Sequence, residues 1–198
     1  MPARRGRETR AVTRTSPWPK TVFGVLLRDP RPEDVDVIAD FRNAPEVNRW
    51  MVRTYVEPAV LRAEWLAVPT SETDYSCVAE VSGELAGLGF LDIVDGLGQP
   101  GVPRGTDALI GYMVRPGFEG RGVATATARG VLAAAFEDLG LRRVTAGCYA
   151  ANVASARVLE KVGMRRERHG IADSWHAELG WIDGDEYGLL AHEWPGLR

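Results

Sequence analysis

The sequence predicts a single α/β (α+β) domain built on a mixed sheet, and three observations predict it. Ala108 to Val114 is an almost unbroken apolar run that stops at Arg115-Pro116-Gly117, the pattern of a strand buried on both faces and ended by turn residues. After a loop with glycines at 120 and 122, small or apolar residues recur at Val123, Thr127, Val131, Ala135 and Leu139, with Leu132 and Phe136 beside them, the spacing of one buried helix face. A second strand, Arg143 to Ala150, leads through Asn152 into a helix over Val153 to Val162 that Gly163 closes. Two strand-to-helix units therefore stand side by side.

The remaining elements follow in chain order. Val22 to Arg28 reads as a first strand, and Pro32 to Arg42 as a helix with proline in its first turn and acids at its positive end. Pro45 to Trp50 is a short helical turn, and Pro58 to Val68 an amphipathic helix that turns Val60, Leu61 and Trp65 or Leu66 toward the core. Asp74 to Val81 and Leu85 to Val94 are strands joined through Ser82-Gly83-Glu84 as a hairpin. Residues 95–106 hold four glycines and two prolines and read as an exposed loop. Arg165 to Asp183 is charged and irregular, and Asp185 to His192 is the last strand.

Composition narrows the class. With 198 residues, 45% hydrophobic and 26% charged, the chain has the size and balance of one soluble domain with a real core. No run approaches the ~18 apolar residues of a membrane helix, and the N-terminus lacks the apolar centre of a secretory signal, so the cytoplasm is expected. Cys77 and Cys148 both lie in apolar runs and read as buried free thiols, with no metal site. Residues 1–20 carry a net charge of +5, leaving −8 for the rest of a chain whose total is −3. Such a tail is either a disordered extension or an RNA contact. Without an aromatic stacking pattern the extension is the expectation, and nucleic acid is not the expected partner. The acidic body favours a cationic amine as substrate, although surface charge of this size also serves solubility.

The loop Glu119-Gly120-Arg121-Gly122-Val123-Ala124 has the parts of an anion site. A helix starting inside it leaves about four N–H groups without internal partners and adds roughly half a positive charge. The glycines permit positive φ and close approach, and Arg121 adds a cation. A G-x-G loop by itself is equally a tight turn. A nucleotide-binding reading has little support, because no Lys-Ser/Thr pair follows the glycines and no G-x-G-x-x-G is present.

E-G-R-G-V-A-T at 119–125, followed by N-x-x-S-x-x-V-L-E-K-V-G-M at 152–164, resembles the GNAT superfamily of N-acetyltransferases, and within it the RimJ/RimL type. The likeness extends from Leu27-Arg28-Asp29-Pro30 and Ala44-Pro45-Glu46-Val47 with Trp50 to Tyr187-Gly188-Leu189-Leu190 and Glu193-Trp194. It implies a mostly antiparallel seven-stranded sheet with helices on both faces, splayed between strands 4 and 5, where the pantetheine arm of acetyl-CoA fills the gap like an added strand. It also implies cofactor contacts from Met113 and Val114 through their backbone, from Glu119, Gly120, Arg121, Gly122, Val123, Ala124 and Thr125, and from Asn152 and Ser155. Asn152 serves equally as a helix N-cap, and Ser155 as a residue bonding its own turn.

Acetyl transfer to an amine requires a neutral nucleophile, a polarised carbonyl and a proton for the departing thiolate. The tyrosine that many GNAT members use for that proton falls at Leu159, which cannot supply it; Ser155 is then the catalytic candidate. The glutamates the family often carries fall at Leu109 and Ala126, and Glu119 stands where Gln or Arg is usual. Candidates for the base are Glu178, Asp183, Asp173, His176 and Asp92. The amine, a peptide N-terminus or a small molecule, is expected against Trp50, Tyr112, Trp175 and Glu178, although each aromatic is as readily a core anchor. A non-catalytic acyl-CoA sensor is the alternative, and the exposed tryptophan segments with the last strand are the expected edge of any homodimer.

Overall fold

The structure is a computed structural model that describes residues 15–197, so the first fourteen residues of the basic tail lie outside the described region. The end of that tail belongs to the fold. Trp18 is buried, its indole N–H donating to the Tyr75 carbonyl at 3.1 Å, and the Ser16 hydroxyl donates to Asp29 at 2.7 Å.

The strands are β1 Lys20–Val22, β2 Val25–Arg28, β3 Cys77–Val81, β4 Glu84–Val94, β5 Asp107–Val114, β6 Arg143–Tyr149, β7 Arg165–His176 and β8 Gly180–Leu190. The helices are α1 Asp34–Arg42, α2 Pro45–Asn48, α3 Pro58–Ala67, α4 Val123–Ala133 and α5 Val153–Lys161. All eight strands form one sheet in the order β1-β2-β3-β4-β5-β6-β8-β7, antiparallel throughout except for β5 with β6.

Eight strands replace the seven expected, for two reasons. The apolar run at Val22 to Arg28 is cut by a tight turn at Phe23-Gly24, both at positive φ, so a hairpin replaces one strand. The charged segment after Met164 is strand rather than irregular chain: β7 is twelve residues long and nearly all exposed, so no alternating apolar pattern marks it. It also takes one edge of the sheet, β1 taking the other, while the last strand, β8, lies inside between β6 and β7. The edges are therefore β1 and β7, and not the last strand, which the sequence led us to expect at the edge of any homodimer.

The helices lie on both faces. Val35, Ile38, Leu61 and Trp65 of α1 and α3 pack on Val78, Leu88 and Met113 of one face. On the other, Val131, Leu132 and Leu159 of α4 and α5 pack on Leu27, Leu91, Ile110 and Tyr187. Gly130 permits that second contact, since a Cβ there would stand 2.1 Å from the Leu27 side chain.

One irregularity positions everything below. β5 and β6 pair only at Asp107 with Arg143, Ala108 with Val144 and Leu109 with Thr145. Beyond Leu109 both strands continue, β5 paired to β4 as far as Val114 and β6 paired to β8 as far as Tyr149, but no longer to each other. The sheet is splayed at that point, leaving backbone N–H and C=O groups of residues 110–114 and 146–149 turned toward an open wedge.

A buried ion pair braces the start of α1. Arg28 donates to both oxygens of Asp34 at 2.7 and 2.8 Å, and Asp34 also accepts from the Arg31 N–H at 2.6 Å. Burial pushes the Asp34 carboxyl up, but Arg28 and the Arg31 backbone outweigh it and hold it below the usual range. A carboxylate depressed in the folded state contributes stability at pH above its unfolded value and loses that contribution as pH falls through its folded value. Asp34→Asn should therefore lower stability by about 3 kcal/mol at neutral pH, with a difference from wild type that shrinks toward pH 2, measured by urea unfolding at several pH values.

Candidate active site

The loop between β5 and α4 is built for positive φ. Arg115 anchors its start, its N–H bonded to the Ala86 carbonyl at 2.8 Å, and Phe118 N–H closes a turn on the Arg115 carbonyl at 3.1 Å. Gly120 and Gly122 stand at φ 73° and 81°, and Gly122 is the N-cap residue of α4. A Cβ at either would meet nothing within 4 Å, so conformation rather than crowding requires glycine there. Glu119 is turned back on the loop, its carboxylate accepting from the Gly117 N–H at 2.7 Å. Arg121 lies over the Phe118 ring at 5.3 Å. Val123 is buried, so only its backbone can serve a ligand, together with the free first-turn N–H groups of Ala124 and Thr125.

Beside Thr125 a groove of about 480 Å³ runs between α4 and α5, lined by Arg157, Val158, Glu160 and Lys161. The sign of these cations in the sequence is the spacing of Arg157 and Lys161, four residues apart on the exposed face of α5.

Asn152 caps α5, its side-chain carbonyl accepting from the Ser155 N–H at 3.1 Å. That bond orients the first turn and places Ser155 against β5, where the Tyr112 hydroxyl lies 2.9 Å from Ser155 Oγ and 3.0 Å from the Ser155 carbonyl oxygen. Burial pushes the Tyr112 phenol up to about 12, so it stays protonated. Leu159 is fully buried in the core. A phenol, supplied by β5, thus stands at the first turn of α5, one turn before Leu159. Tyr112 consequently lies on the α4/α5 face of the sheet, across from Trp50, Trp175 and Glu178, and not among the acceptor residues where the sequence led us to expect it. Cys77 and Cys148 are free thiols, and burial raises both above the ordinary range.

On the opposite face a cavity of about 480 Å³ opens between α2 and the β7–β8 turn, lined among others by Asn48, Arg49, Met51, Tyr149, Trp175 and Glu178. Trp50 backs its wall, with ring centroids 6.1 Å from Tyr149 and 5.2 Å from His176. Tyr149 donates to the Trp175 carbonyl at 2.9 Å and so ties β6 to this turn. Trp50, Trp175 and Glu178, far apart in sequence, are brought together here.

Most candidates for the base are occupied. His176 Nδ1 accepts from the N–H groups of Glu178 and Leu179, which leaves the proton on Nε2, donated to the Arg49 carbonyl at 2.7 Å. Glu178 pairs with Arg49 at 3.5 Å, Asp173 with Arg168 at 2.7 Å and Asp183 with His169 at 3.2 Å. Asp92 faces Asp74 across an isolated bridge, and burial and that neighbour push its carboxyl up.

With this geometry in place, comparison with known proteins is decisive. The model of the acetyltransferase (GNAT) domain matches residues 25–165, well over half of the chain. The chain belongs to the GNAT acetyltransferase family. YdaF of Bacillus subtilis (strain 168), which carries the name of a ribosomal N-acetyltransferase, is 26% identical over 188 residues, covering 88% of this chain and 95% of its own. YnaD of the same organism, an uncharacterised N-acetyltransferase, is 34% identical over 86 residues, and that match spans 43% of this chain and only 49% of YnaD. Among solved structures, RimJ of Mycobacterium smegmatis in complex with CoA-disulfide superposes with a TM-score of 0.71 at 24% identity, covering 87% of this chain and 85% of that one. The likeness to the RimJ/RimL type read from the motifs therefore holds for the fold as well, and the splayed pair β5 and β6 is the GNAT wedge.

The GNAT loop yields a direct test. Gly122→Ala forces φ 81° on a residue with a Cβ, at a cost of roughly 1–2 kcal/mol, and tilts the first turn of α4. The variant should fold with a slightly lowered melting temperature and lose most of the stabilisation that added CoA confers on the wild type, read by thermal shift.

Proposed function

We propose that the protein is an acetyl-CoA-dependent N-acetyltransferase that moves an acetyl group to a primary amine by direct attack in a ternary complex. The observation that carries this reading is the unpaired wedge between β5 and β6, with a Ser155–Tyr112 hydroxyl pair on one side and an aromatic cavity on the other. The wedge offers the backbone of Met113 and Val114 to an extended amide-bearing arm, as an added strand would use it. The loop at 119–125 receives the pyrophosphate through its N–H groups and Arg121, and Arg157 and Lys161 lie along the groove beside it.

Acetyl-CoA supplies the thioester. Asn152 holds the turn that carries Ser155, and Ser155 meets the sulfur with its hydroxyl, the Tyr112 phenol oxygen standing 2.9 Å behind Ser155 Oγ. A phenol kept protonated by burial suits a group that feeds a proton toward a departing thiolate. The acceptor enters from the other face. Its cavity holds one carboxylate, Glu178, already neutralised by Arg49, within walls of Met51, Trp175 and Tyr149. A polyamine would call for several unpaired carboxylates along its length; this cavity suits a single amine on a mostly uncharged body, as at a peptide N-terminus. The protein would carry out this reaction in the cytoplasm.

Ser155→Ala is the test. Thiol release from acetyl-CoA with a panel of peptides and small amines should fall roughly a hundredfold while CoA affinity stays within a few-fold. Tight acetyl-CoA binding by the wild type with no release for any amine would favour a non-catalytic acyl-CoA sensor. Tyr112→Phe should cost less than Ser155→Ala, because Ser155 keeps its own hydroxyl. In the wild type the Tyr112-dependent rate should persist to about pH 10, since the phenol titrates only near 12.

A further inference from the structure

We propose that Glu186 is the group that takes the proton from the acceptor's ammonium, reaching the wedge across Gly147. The inference rests on the transferase reading above and adds the base that reading lacks.

Register decides which face Glu186 occupies. On β6, Val144, Ala146 and Cys148 point toward the α4/α5 core together with Tyr187 and Leu189 of β8. Thr145, Gly147 and Tyr149 therefore point to the opposite face, and so does Glu186, the cross-strand partner of Gly147. Tyr149 is part of the acceptor cavity, so Glu186 shares the acceptor's side of the sheet.

Its level along the sheet is equally specific. The last pair that joins β5 to β6 is Leu109 with Thr145, so Gly147 is two residues into the splay, where the wedge has just opened. Both strands carry glycine on the acceptor face at this level, Gly111 on β5 and Gly147 on β6. A Cβ at Gly147 would meet only the Asp185 carbonyl oxygen, 3.9 Å away, and Gly147 is exposed. Neighbouring strands lie about 4.8 Å apart, and a glutamate side chain spans that distance when the residue between is glycine.

Glu186 is also unoccupied. It is exposed, and among the described residues it makes no side-chain hydrogen bond or ion pair. Arg168, its cross-strand neighbour on β7, is drawn to Asp173 at 2.7 Å. Glu178, Asp173, Asp183 and His176 all have partners, as described above. Asp92 lies across β5 at the level of Leu109, whose exposed side chain stands between it and the wedge.

In the reaction one ammonium proton passes to the Glu186 carboxylate and on to solvent. The freed lone pair forms the C–N bond, the C–S bond breaks, and the second proton leaving the nitrogen replaces the one the Ser155–Tyr112 pair gives to the thiolate. The products are an amide, free CoA and one proton.

The experiment compares wild type, Glu186→Gln, Glu186→Ala and Gly147→Val for acetyl-CoA thiol release with amine acceptors, with CoA affinity and melting temperature measured on each. Glu186→Gln should lower kcat about a hundredfold with CoA affinity and melting temperature unchanged. Added formate should restore part of the Glu186→Ala rate, which a merely structural role would not permit. Gly147→Val should slow the amine reaction by blocking the path while still binding CoA. Glu186→Gln within twofold of an active wild type, or no recovery with formate, overturns the assignment to Glu186 and leaves the transferase standing. A wild type that binds acetyl-CoA but releases no thiol with any amine overturns both.

Discussion

The structure depends on the loss of pairing between β5 and β6 after three residue pairs. Each strand is fully satisfied on its outer side, β5 by β4 and β6 by β8, so the sheet stays continuous while its middle opens. Buried backbone groups left unpaired cost about 1–3 kcal/mol each, so such a wedge persists only where other contacts hold it and a ligand can complete it. The other contacts are visible: Tyr112 of β5 bonds to Ser155 at the start of α5, across the same opening that the missing ladder leaves. The hydroxyl pair proposed to serve the thiolate is therefore also a tie between β5 and α5.

The opening divides labour between two faces. The α4/α5 side holds the glycine loop, the free N–H groups of α4, Arg121, a groove lined by Arg157, Glu160 and Lys161, and the Ser155–Tyr112 pair. On the α1/α3 side Trp50, Tyr149 and His176 stack together beneath a cavity whose charges cancel. In the proposed reaction the anionic donor would lie along the first face and the amine along the second, so that the two meet only in the wedge.

Much of the GNAT core was legible because its signals are local. The apolar run of β5, the glycines at 120 and 122 and the spacing along α4 are consequences of neighbours in sequence, and so is the Asn152 cap, which bonds three residues ahead. β7 was not legible: an exposed edge strand buries too little to imprint an alternation, and its pairing with β8 is decided by the hairpin it forms. Tyr112 was found but grouped with Trp50, Trp175 and Glu178, which lie on the other face, because a strand residue's side of the sheet follows from the register of its partners. Glu186 and Gly147 carried no signal at all, being unremarkable until β6 and β8 set them opposite each other.

By itself the sequence determined the two central strand-to-helix units, the glycine loop within the first of them and the family, since helix caps, positive-φ glycines and hydrophobic periods act within a few residues. Only the tertiary structure decided where the sheet stops pairing, which phenol lies against Ser155, and which carboxylates are already taken. Those outcomes turn on cross-strand register and on ion pairs between distant segments, such as Arg49 with Glu178 and Arg168 with Asp173. Such contacts form only once the chain has folded, so no stretch of it read alone contains them.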